Sequence, residues 1–446
     1  MKGLSALIST VVVARHALAL PTIETKGSKL FTSDGNQFFI KGVAYQLTED
    51  DPLAQGDQCA LDAALMKTLG ANSIRVYHVD PTADHDACMS AFSDAGIYAW
   101  IDVDTFSTYI LADSPQWNST MYDAYSKVID AFHNYDNVAG FYVGNEVLTT
   151  GASSVAAPYV KAAARDMKGY RDSKGYRTIP IGYSAADIAD LRPNLQNYLA
   201  CGTNMSESMD FFALNAYEWC GKSDYDTSGY TFLQQNASEY PIPIYFSETG
   251  CNTPKPRTFD DQAAILGSEM SGTWSGAIIY EWIQETNDYG LISYGPTADP
   301  TATDGGVVAG YTRTGTPTAI SPDFDNLSNH WKTLSPTGVS ISAYTASPSP
   351  ISCPAYTSGL WEVSGNVPLP TVGAALSLSS SSAGTGSSPT GTASGSSAGS
   401  AGSSGAGSLT SAAAAASSSA AGTRGNVQIG VVGVGIGLWA AYGAAS

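Results

Sequence analysis

Short apolar runs recur along the chain between residues 38 and 282, and segments long enough for a helix separate them. The runs are rich in β-branched and aromatic residues, which is typical of buried strands. Eight of them are recognised, at 38–45, 74–77, 98–104, 140–147, 179–184, 211–217, 243–250 and 276–282. Eight strands that alternate with helices predict an α/β fold, the (β/α)8 TIM barrel, preceded by a short hairpin at 25–37. An open doubly wound sheet is the alternative.

Two of these runs end in a glutamate beside a glycine turn. The fourth run closes with glycine, asparagine and Glu146, and the seventh places Glu248 before threonine and glycine. Barrel enzymes carry their catalytic groups at the carboxyl ends of the strands. The fourth and seventh strands face each other across the mouth, where the ~5–5.5 Å carboxyl separation of a retaining glycosidase is feasible. The pair therefore predicts glycoside chemistry, and a solvated strand-end acid, as at Glu281, is the alternative for each.

Polar and aromatic residues at the strand ends predict a groove for a polysaccharide. Sugar rings have apolar faces and hydroxyl rims, so tyrosine and tryptophan beside carboxylates suit them. Asn145 is placed to donate to the sugar hydroxyl next to the anomeric carbon, most strongly in the transition state. Packing within the barrel is the alternative for any one of the other residues. These are Tyr77, Asp102, Asp104, Tyr183, Asp187, Tyr217, Trp219, Tyr280, Trp282 and Tyr289.

The charge of the chain narrows the class of ligand. There are 40 acidic and 21 basic residues, which give a formal net charge of −19. Nucleic acid is disfavoured as a partner because the chain has no excess of basic groups to neutralise phosphates. No cofactor or metal is indicated either: the sequence lacks Cys-x-x-Cys and His-x-x-x-His spacings, and retaining carboxylate chemistry needs no metal.

The N-terminus predicts secretion. Residues 1–19 contain Lys2, an apolar run at 4–14 and a small-x-small cleavage site at 17–19, although Arg15 and His16 interrupt the pattern. Six cysteines, an even number, suggest disulfides in a secreted chain and leave 15 pairings open. Four Asn-x-Ser/Thr acceptors for N-glycosylation are compatible with this route; they are Asn118, Asn204, Asn236 and Asn326.

The last 74 residues, 373–446, have a different composition. Residues 373–421 are almost entirely Ser, Ala, Gly and Thr, which cannot bury enough apolar surface to fold, so a disordered stalk is predicted. Residues 422–446 form a spacer and an apolar end that is too short for the roughly 20 residues of a membrane span. Small residues at Ser418–Ala421 before them predict a glycosylphosphatidylinositol (GPI) attachment signal, with Ser419 as the attachment residue. A frayed hydrophobic terminus is the alternative.

Four motifs together resemble a known family. They are Tyr-Val-Gly-Asn-Glu at 142–146, Asn-Ala-Tyr-Glu-Trp-Cys-Gly at 215–221, Phe-Ser-Glu-Thr-Gly-Cys-Asn at 246–252 and Tyr-Glu-Trp-Ile-Gln-Glu-Thr-Asn-Asp-Tyr-Gly at 280–290. The sequence from about residue 23 to residue 353 is similar to the fungal cell-wall 1,3-β-glucanosyltransferases, family 72 of the glycoside hydrolases. The resemblance implies that Glu146 is the acid/base and Glu248 the nucleophile.

The resemblance also implies roles for residues in the groove. Glucan contacts are implied for Tyr77, Asn145, Asp187, Arg192 and Tyr280, with Tyr217 and Tyr289 close to the scissile bond. The segment at 104–108 matches the family pattern poorly, and of it only Asp104 is taken as a contact. Trp219 joins Tyr217 and Tyr289 as a candidate platform for the acceptor sugar.

The resemblance further implies three disulfides and the domain order. The pairs are Cys59–Cys88, Cys220–Cys251 and Cys201–Cys353, the last of which ties a post-barrel segment at 336–372 to the catalytic domain at 20–335. Only Cys353 remains beyond the barrel, so the eight-cysteine carbohydrate-binding module of many members is absent. The shorter subfamily is implied.

The predicted activity is therefore transfer of a 1,3-β-glucan segment to the non-reducing end of another 1,3-β-glucan chain through a covalent glycosyl-enzyme. An endo-1,3-β-glucanase on the same fold is one alternative, because water competes with the acceptor for the same intermediate. A non-catalytic, glucan-binding wall adhesin is the other. The protein is expected to be a monomer that is anchored by GPI to the outer face of the plasma membrane or passes to the cell wall.

Overall fold

The computed structural model describes residues 20–47, 50–202, 204–302, 306–346, 351–365 and 367–376. The predicted signal peptide, the GPI signal and the stalk beyond residue 376 lie outside the described residues. No helix within the described ranges is long and apolar enough to cross a membrane.

Eight parallel strands close into a barrel, and the prediction of a (β/α)8 fold is confirmed. Going round the barrel, each strand pairs with the next in the chain, and the eighth pairs with the first, so the open doubly wound sheet is excluded. The strands are β3 (Ile40–Ala44), β4 (Ser73–Val76), β5 (Tyr98–Asp102), β6 (Val138–Asn145), β7 (Ile181–Ala186), β8 (Phe211–Asn215), β9 (Ile244–Thr249) and β10 (Trp274–Ile279).

The helices pack outside this barrel. They are α1 (Gly56–Leu69), α2 (Asp86–Ala95), α3 (Ser119–Phe132), α4 (Ala157–Ser173), α5 (Arg192–Ala200), α6 (Tyr230–Ala237), α7 (Asp261–Ile265) and α8 (Asp323–Thr333). Two 3-10 helices, Pro52–Ala54 and Ala152–Ala156, lie in loops. Between β10 and α8 the chain forms four two-residue strands, β11 (Ile292–Ser293), β12 (Val307–Val308), β13 (Tyr311–Thr312) and β14 (Thr318–Ala319).

The N-terminal hairpin belongs to the barrel's inner core. It consists of β1 (Ile23–Lys26) and β2 (Lys29–Thr32), two residues earlier than predicted. Ile23 and Leu30 are buried in one cluster with the interior residues Trp100 and Tyr245. The barrel interior is thus a packed core, on which the polar groups of the strand ends rest.

Aromatic rings fill that interior, and glycines make room for them. The ring of Trp100 lies 5.3 Å from that of Phe211 and 5.0 Å from that of Tyr245. A Cβ on Gly140 would come within 2.7 Å of the Trp100 ring, and one on Gly182 within 2.6 Å of the Phe211 ring. Both strands therefore need glycine at these points, because the rings lie directly against the backbone.

The structure contains three disulfides, the same pairs that the resemblance implies: Cys59–Cys88, Cys201–Cys353 and Cys220–Cys251. After Cys353 the chain stays packed on the helices for longer than expected. Gly373 donates from its backbone to the carbonyl of Trp117 (2.7 Å), and Leu376 donates to the hydroxyl of Tyr159 (2.9 Å). The packed region therefore includes at least the first four residues of the predicted stalk, 373–376.

Candidate active site

Glu146 follows the last residue of β6, where the pairing with β7 shifts register between Tyr142 and Asn145. Such bulges redirect side chains next to functional sites. The backbone of Glu146 is in the left-handed region (φ 50°), and its N–H donates to the carbonyl of Ser184 (2.9 Å). Its Oε1 accepts a hydrogen bond from Nδ2 of Asn215 (2.8 Å). The carboxyl group is thereby aimed by two neighbouring strands.

Glu248 lies within β9 and is held from both sides. Its Oε1 accepts from the hydroxyl of Tyr77 (3.0 Å) and from Nη1 of Arg75 (3.3 Å). Its Oε2 accepts from the hydroxyl of Tyr217 (2.9 Å). Burial raises the pKa of Glu248 to about 7, the positive charge of Arg75 lowers it, and the negative charge of Glu146 raises it further. Three donors thus await the carboxylate once its proton has left.

Arg75 is a central residue that the sequence analysis missed. It is fully buried on β4 and forms a two-bond ion pair with Asp102, Nε to Oδ1 at 3.1 Å and Nη2 to Oδ2 at 2.8 Å. It also donates to Oδ1 of Asn145 (3.0 Å) and to Oγ of Ser184 (3.1 Å). The only signal in the sequence is an arginine inside an apolar run, which is rarely buried unless it is paired.

Asn145 is oriented by its oxygen. Oδ1 accepts from Nη2 of Arg75 and from Nδ2 of Asn215, both at 3.0 Å. Because the oxygen is engaged twice, Nδ2 is the end of this amide that is left to meet a ligand hydroxyl. Beneath it, Ser184 Oγ donates to Asn215 Oδ1 (2.9 Å) and lies 2.8 Å from the hydroxyl of Ser247. This network holds Asn145 and Asn215 in place on one polar floor.

Three of the predicted aromatic residues meet in one cluster. The ring of Tyr289 lies 5.8 Å from that of Tyr217 and 5.4 Å from that of Tyr280, with edge-to-face geometry in both pairs. Through its hydroxyl, Tyr217 joins this cluster to Glu248. Trp219 is turned the other way: its ring packs on Tyr230 (5.2 Å), and its Nε1 is buried. Part of the Trp219 side chain remains exposed.

Two other predicted aromatics are packing residues. Tyr183 and Trp282 are fully buried in the main core cluster, as the alternative interpretation of strand-end rings expects. The hydroxyl of Tyr183 accepts from the backbone N–H of Leu148 (3.3 Å), two residues after Glu146. It therefore supports the loop that carries Glu146.

Acidic residues around the site differ in their pairing. Asp187, just beyond β7, forms an ion pair with Arg192, the first residue of α5, and burial lowers the pKa of Arg192 to about 10. Burial and the neighbouring Asp102 raise the pKa of Asp104 well above its usual range, and its Oδ1 is buried without a hydrogen-bond partner within the described residues.

Glu281, the strand-end acid on β10's loop, is set apart from the pair. It is buried and accepts from Nδ2 of Asn287 (2.6 Å). Burial raises the pKa of Glu281 well above its usual range, and the negative charge of Glu285 adds to the effect. Glu281 is tied to its own loop through Asn287, whereas Glu146 and Glu248 share one polar floor.

Known proteins are similar to this chain in sequence and in fold. A profile of the glucanosyltransferase family, glycoside hydrolase family 72, matches residues 12–305. Protein EPD1 of Candida maltosa is 42% identical over 369 residues, which cover 81% of this chain and 63% of that protein. The 1,3-β-glucanosyltransferase gas2 of Schizosaccharomyces pombe is 39% identical over 356 residues, 76% of this chain and 73% of gas2.

A solved structure aligns over the same region. Gas2p of Saccharomyces cerevisiae, as a mutant in complex with laminaritetraose and laminaripentaose, is 38% identical and superposes with a TM-score of 0.69. The alignment covers 78% of this chain and 74% of the Gas2p chain.

Proposed function

This chain belongs to the glucanosyltransferase family, family 72 of the glycoside hydrolases, and on that premise we propose that it is a retaining 1,3-β-glucanosyltransferase. Glu248 is the nucleophile and Glu146 the acid/base. The observation that carries this proposal is the asymmetry of the two carboxyl groups in one cleft. Glu248 receives three donors that favour its anion, whereas Glu146 receives its hydrogen bond from Asn215 and keeps a side open to a substrate proton.

In the first step, the Glu248 carboxylate attacks the anomeric carbon of a 1,3-β-glucan. The glycosidic C–O bond breaks, and Glu146 gives its proton to the departing oxygen. The donor chain is now a glycosyl ester of Glu248, and Glu146 is a carboxylate. Nδ2 of Asn145 donates to the sugar hydroxyl beside the anomeric carbon, where a hydrogen bond gains most as charge develops.

In the second step, Glu146 removes the proton from the 3-hydroxyl at the non-reducing end of an acceptor glucan. That oxygen attacks the anomeric carbon, the ester bond to Glu248 breaks, and the chain is elongated. If water attacks the anomeric carbon in place of the acceptor hydroxyl, the result is hydrolysis. We assign the acceptor platform to Tyr217, Tyr289 and the exposed part of Trp219, because an oriented sugar competes with water through proximity. Donor contacts are assigned to Tyr77, Asp104, Asp187, Arg192 and Tyr280.

The test follows the lengths of products. The purified protein is incubated with a reduced 1,3-β-gluco-oligosaccharide, and masses are read for the wild type, Glu146→Gln and Glu248→Gln. We expect products longer than the starting chain, lost in both variants. Shorter products alone identify an endo-1,3-β-glucanase instead, and an unchanged oligosaccharide that still binds identifies the wall adhesin.

We further propose a monomeric, secreted protein with a signal peptide at 1–19, a stalk and a GPI anchor at Ser419, which holds it at the plasma membrane or in the wall. Of the glycosylation acceptors, Asn204 and Asn236 are exposed. Asn118 caps α3 through Oδ1. Asn326 already donates from Nδ2 to the carbonyl of Arg257 (2.7 Å), so we rank it as the least accessible. Release from cells by a phosphatidylinositol-specific phospholipase tests the anchor.

A further inference from the structure

The segment 351–365, which we name the strap, is anchored on α5. Cys353 forms its disulfide with Cys201, the residue that follows the last turn of α5. Further along, Trp361 is fully buried, and its ring lies 5.3 Å from that of Tyr198 on the same helix. A turn in between is closed by two backbone hydrogen bonds of 2.7 Å between Thr357 and Trp361. The strap is therefore a defined element with a fixed base.

Its other side lies against the 3-10 helix Ala152–Ala156. The backbone of the strap touches Gly151 so closely that a Cβ there would lie 2.7 Å from the carbonyl carbon of Gly359 and 2.9 Å from the Cα of Leu360. The N–H of Glu362 donates to Oγ of Ser154 (2.7 Å), and that hydroxyl donates to the carbonyl of Gly151 (2.5 Å). The strap therefore contacts the N-terminal end of this 3-10 helix.

The same helix holds the loop that carries Glu146. Oγ of Ser153 accepts from the backbone N–H groups of Thr149 (3.0 Å) and Thr150 (2.9 Å) and donates to the carbonyl of Thr150 (2.7 Å). Leu148, which comes next towards Glu146, is fully buried. A set of contacts therefore runs from the disulfide through the strap and the 3-10 helix to Thr149, three residues after Glu146.

We propose that the strap is a positioning element for Glu146, acting through Gly151 and Ser154, and that it serves proton transfer and not nucleophilic attack. This inference rests on the acid/base role proposed for Glu146. Glu248 lies within β9, and its three donors come from β4, the residue after β4 and the second residue after β8. The disulfide, ring contact and hydrogen bond cited above tie the strap to α5 and to the segment that follows Glu146, and none of them involves β4, β8 or β9.

Gly151→Ala tests the contact with little other change. Gly151 has φ −57° and ψ −40°, which alanine adopts readily, so the added methyl group acts by pushing on the strap. Gly169→Ala on α4 is the matched control, because a Cβ there meets nothing within 4 Å. Thermal unfolding of both variants is measured beside the wild type.

Two substrates distinguish the contribution of Glu146 to the rate from that of Glu248. A reduced 1,3-β-gluco-oligosaccharide has a poor leaving group and needs the acid/base in both steps. A 1,3-β-glucosyl glycoside of a dinitrophenol, assayed with azide, needs it in neither. The dinitrophenolate leaves without a proton, and the azide anion attacks the ester without a base. Both reactions still need Glu248.

For Gly151→Ala we expect kcat/KM on the oligosaccharide to fall about 10- to 100-fold, since small misplacements cost this much. On the activated glycoside with azide the fall stays within about threefold, and Gly169→Ala keeps both rates. An equal fall on the two substrates, or no fall on either, overturns the inference. If Gly151→Ala does not fold, Ser154→Ala, which removes the bond to Glu362, replaces it. A wild type inactive on both substrates overturns the proposed function instead.

Discussion

The surroundings of Glu146 and Glu248 differ in where their support comes from. The side chain of Glu248 is 12% exposed and is held by Arg75, Tyr77 and Tyr217, all on or directly after barrel strands. Glu146 is half-buried and has a left-handed backbone conformation. The loop that follows it contacts a 3-10 helix, which in turn contacts a segment from beyond the barrel. One carboxyl group is built into the barrel, and the other is held at its edge.

This difference matches the two tasks. A nucleophile works from one fixed position and gains from donors that are already in place when its charge is used. An acid/base exchanges its proton with the leaving group and then with the acceptor, so it must face an open cleft in both steps. The barrel supplies rigidity for the first group, and outer elements adjust the second.

The largest effect is expected from removing each carboxyl group in turn. Glu248→Gln should abolish turnover of every substrate, because no covalent intermediate forms. Glu146→Gln should lose about 10²- to 10⁴-fold on an oligosaccharide and recover most of that rate on an activated glycoside with azide. Product analysis for glucosyl azide is the measurement. Recovery by Glu248→Gln, and not by Glu146→Gln, would reverse the two assignments.

Arg75→Lys is expected to be the next largest change. Lysine keeps the charge and loses the planar fork that binds Asp102, Asn145 and Glu248 together. We expect kcat/KM to fall about 10²-fold on natural and activated substrates alike, because the nucleophile itself is disturbed. The free energy of unfolding should also fall by about 1–3 kcal/mol, because buried acceptors of the guanidinium group are left without a donor. A loss confined to the oligosaccharide contradicts this view of Arg75.

Tyr217→Phe should shift the pH dependence by a smaller amount. The hydroxyl of Tyr217 donates to Glu248 and lowers its pKa, so removal raises the pKa of that carboxyl further above 7. The nucleophile must be ionised, and the acidic limb of kcat/KM therefore moves to higher pH. At pH 6 the variant should be about tenfold slower than the wild type, with less difference at pH 8. An acidic limb that moves to lower pH contradicts the hydrogen bond's role.

The barrel could be predicted from the sequence, whereas part of the site could not. Apolar strands such as 140–147 have a length and composition that depend on local residues, so pattern analysis finds them. Arg75 lies inside such a run, and its role in the site depends on partners more than 25 positions away in the sequence, beginning with Asp102. The strap could not be predicted, because it has no periodic pattern of apolar residues. Its contact with Gly151 is made by backbone atoms, which do not depend on the types of the neighbouring side chains. Trp219 is an intermediate case: its motif predicts a ring in the groove, and the ring packs on Tyr230 while part of the side chain stays exposed.

The last effect concerns stability and not rate, because Glu248→Gln should stabilise the folded chain at neutral and alkaline pH. Burial raises the pKa of Glu248 from 4.5 in the unfolded chain to about 7 in the folded one. Between these values the folded state holds a proton that the unfolded state has lost, so stability falls as pH rises from 4.5 to 7. Glutamine has no charge to bury, and the variant should gain up to about 3 kcal/mol at pH 8 relative to its effect at pH 4. Thermal unfolding at both values measures this difference. A gain that is the same at pH 4 and at pH 8 would contradict the burial of a charged Glu248 carboxylate.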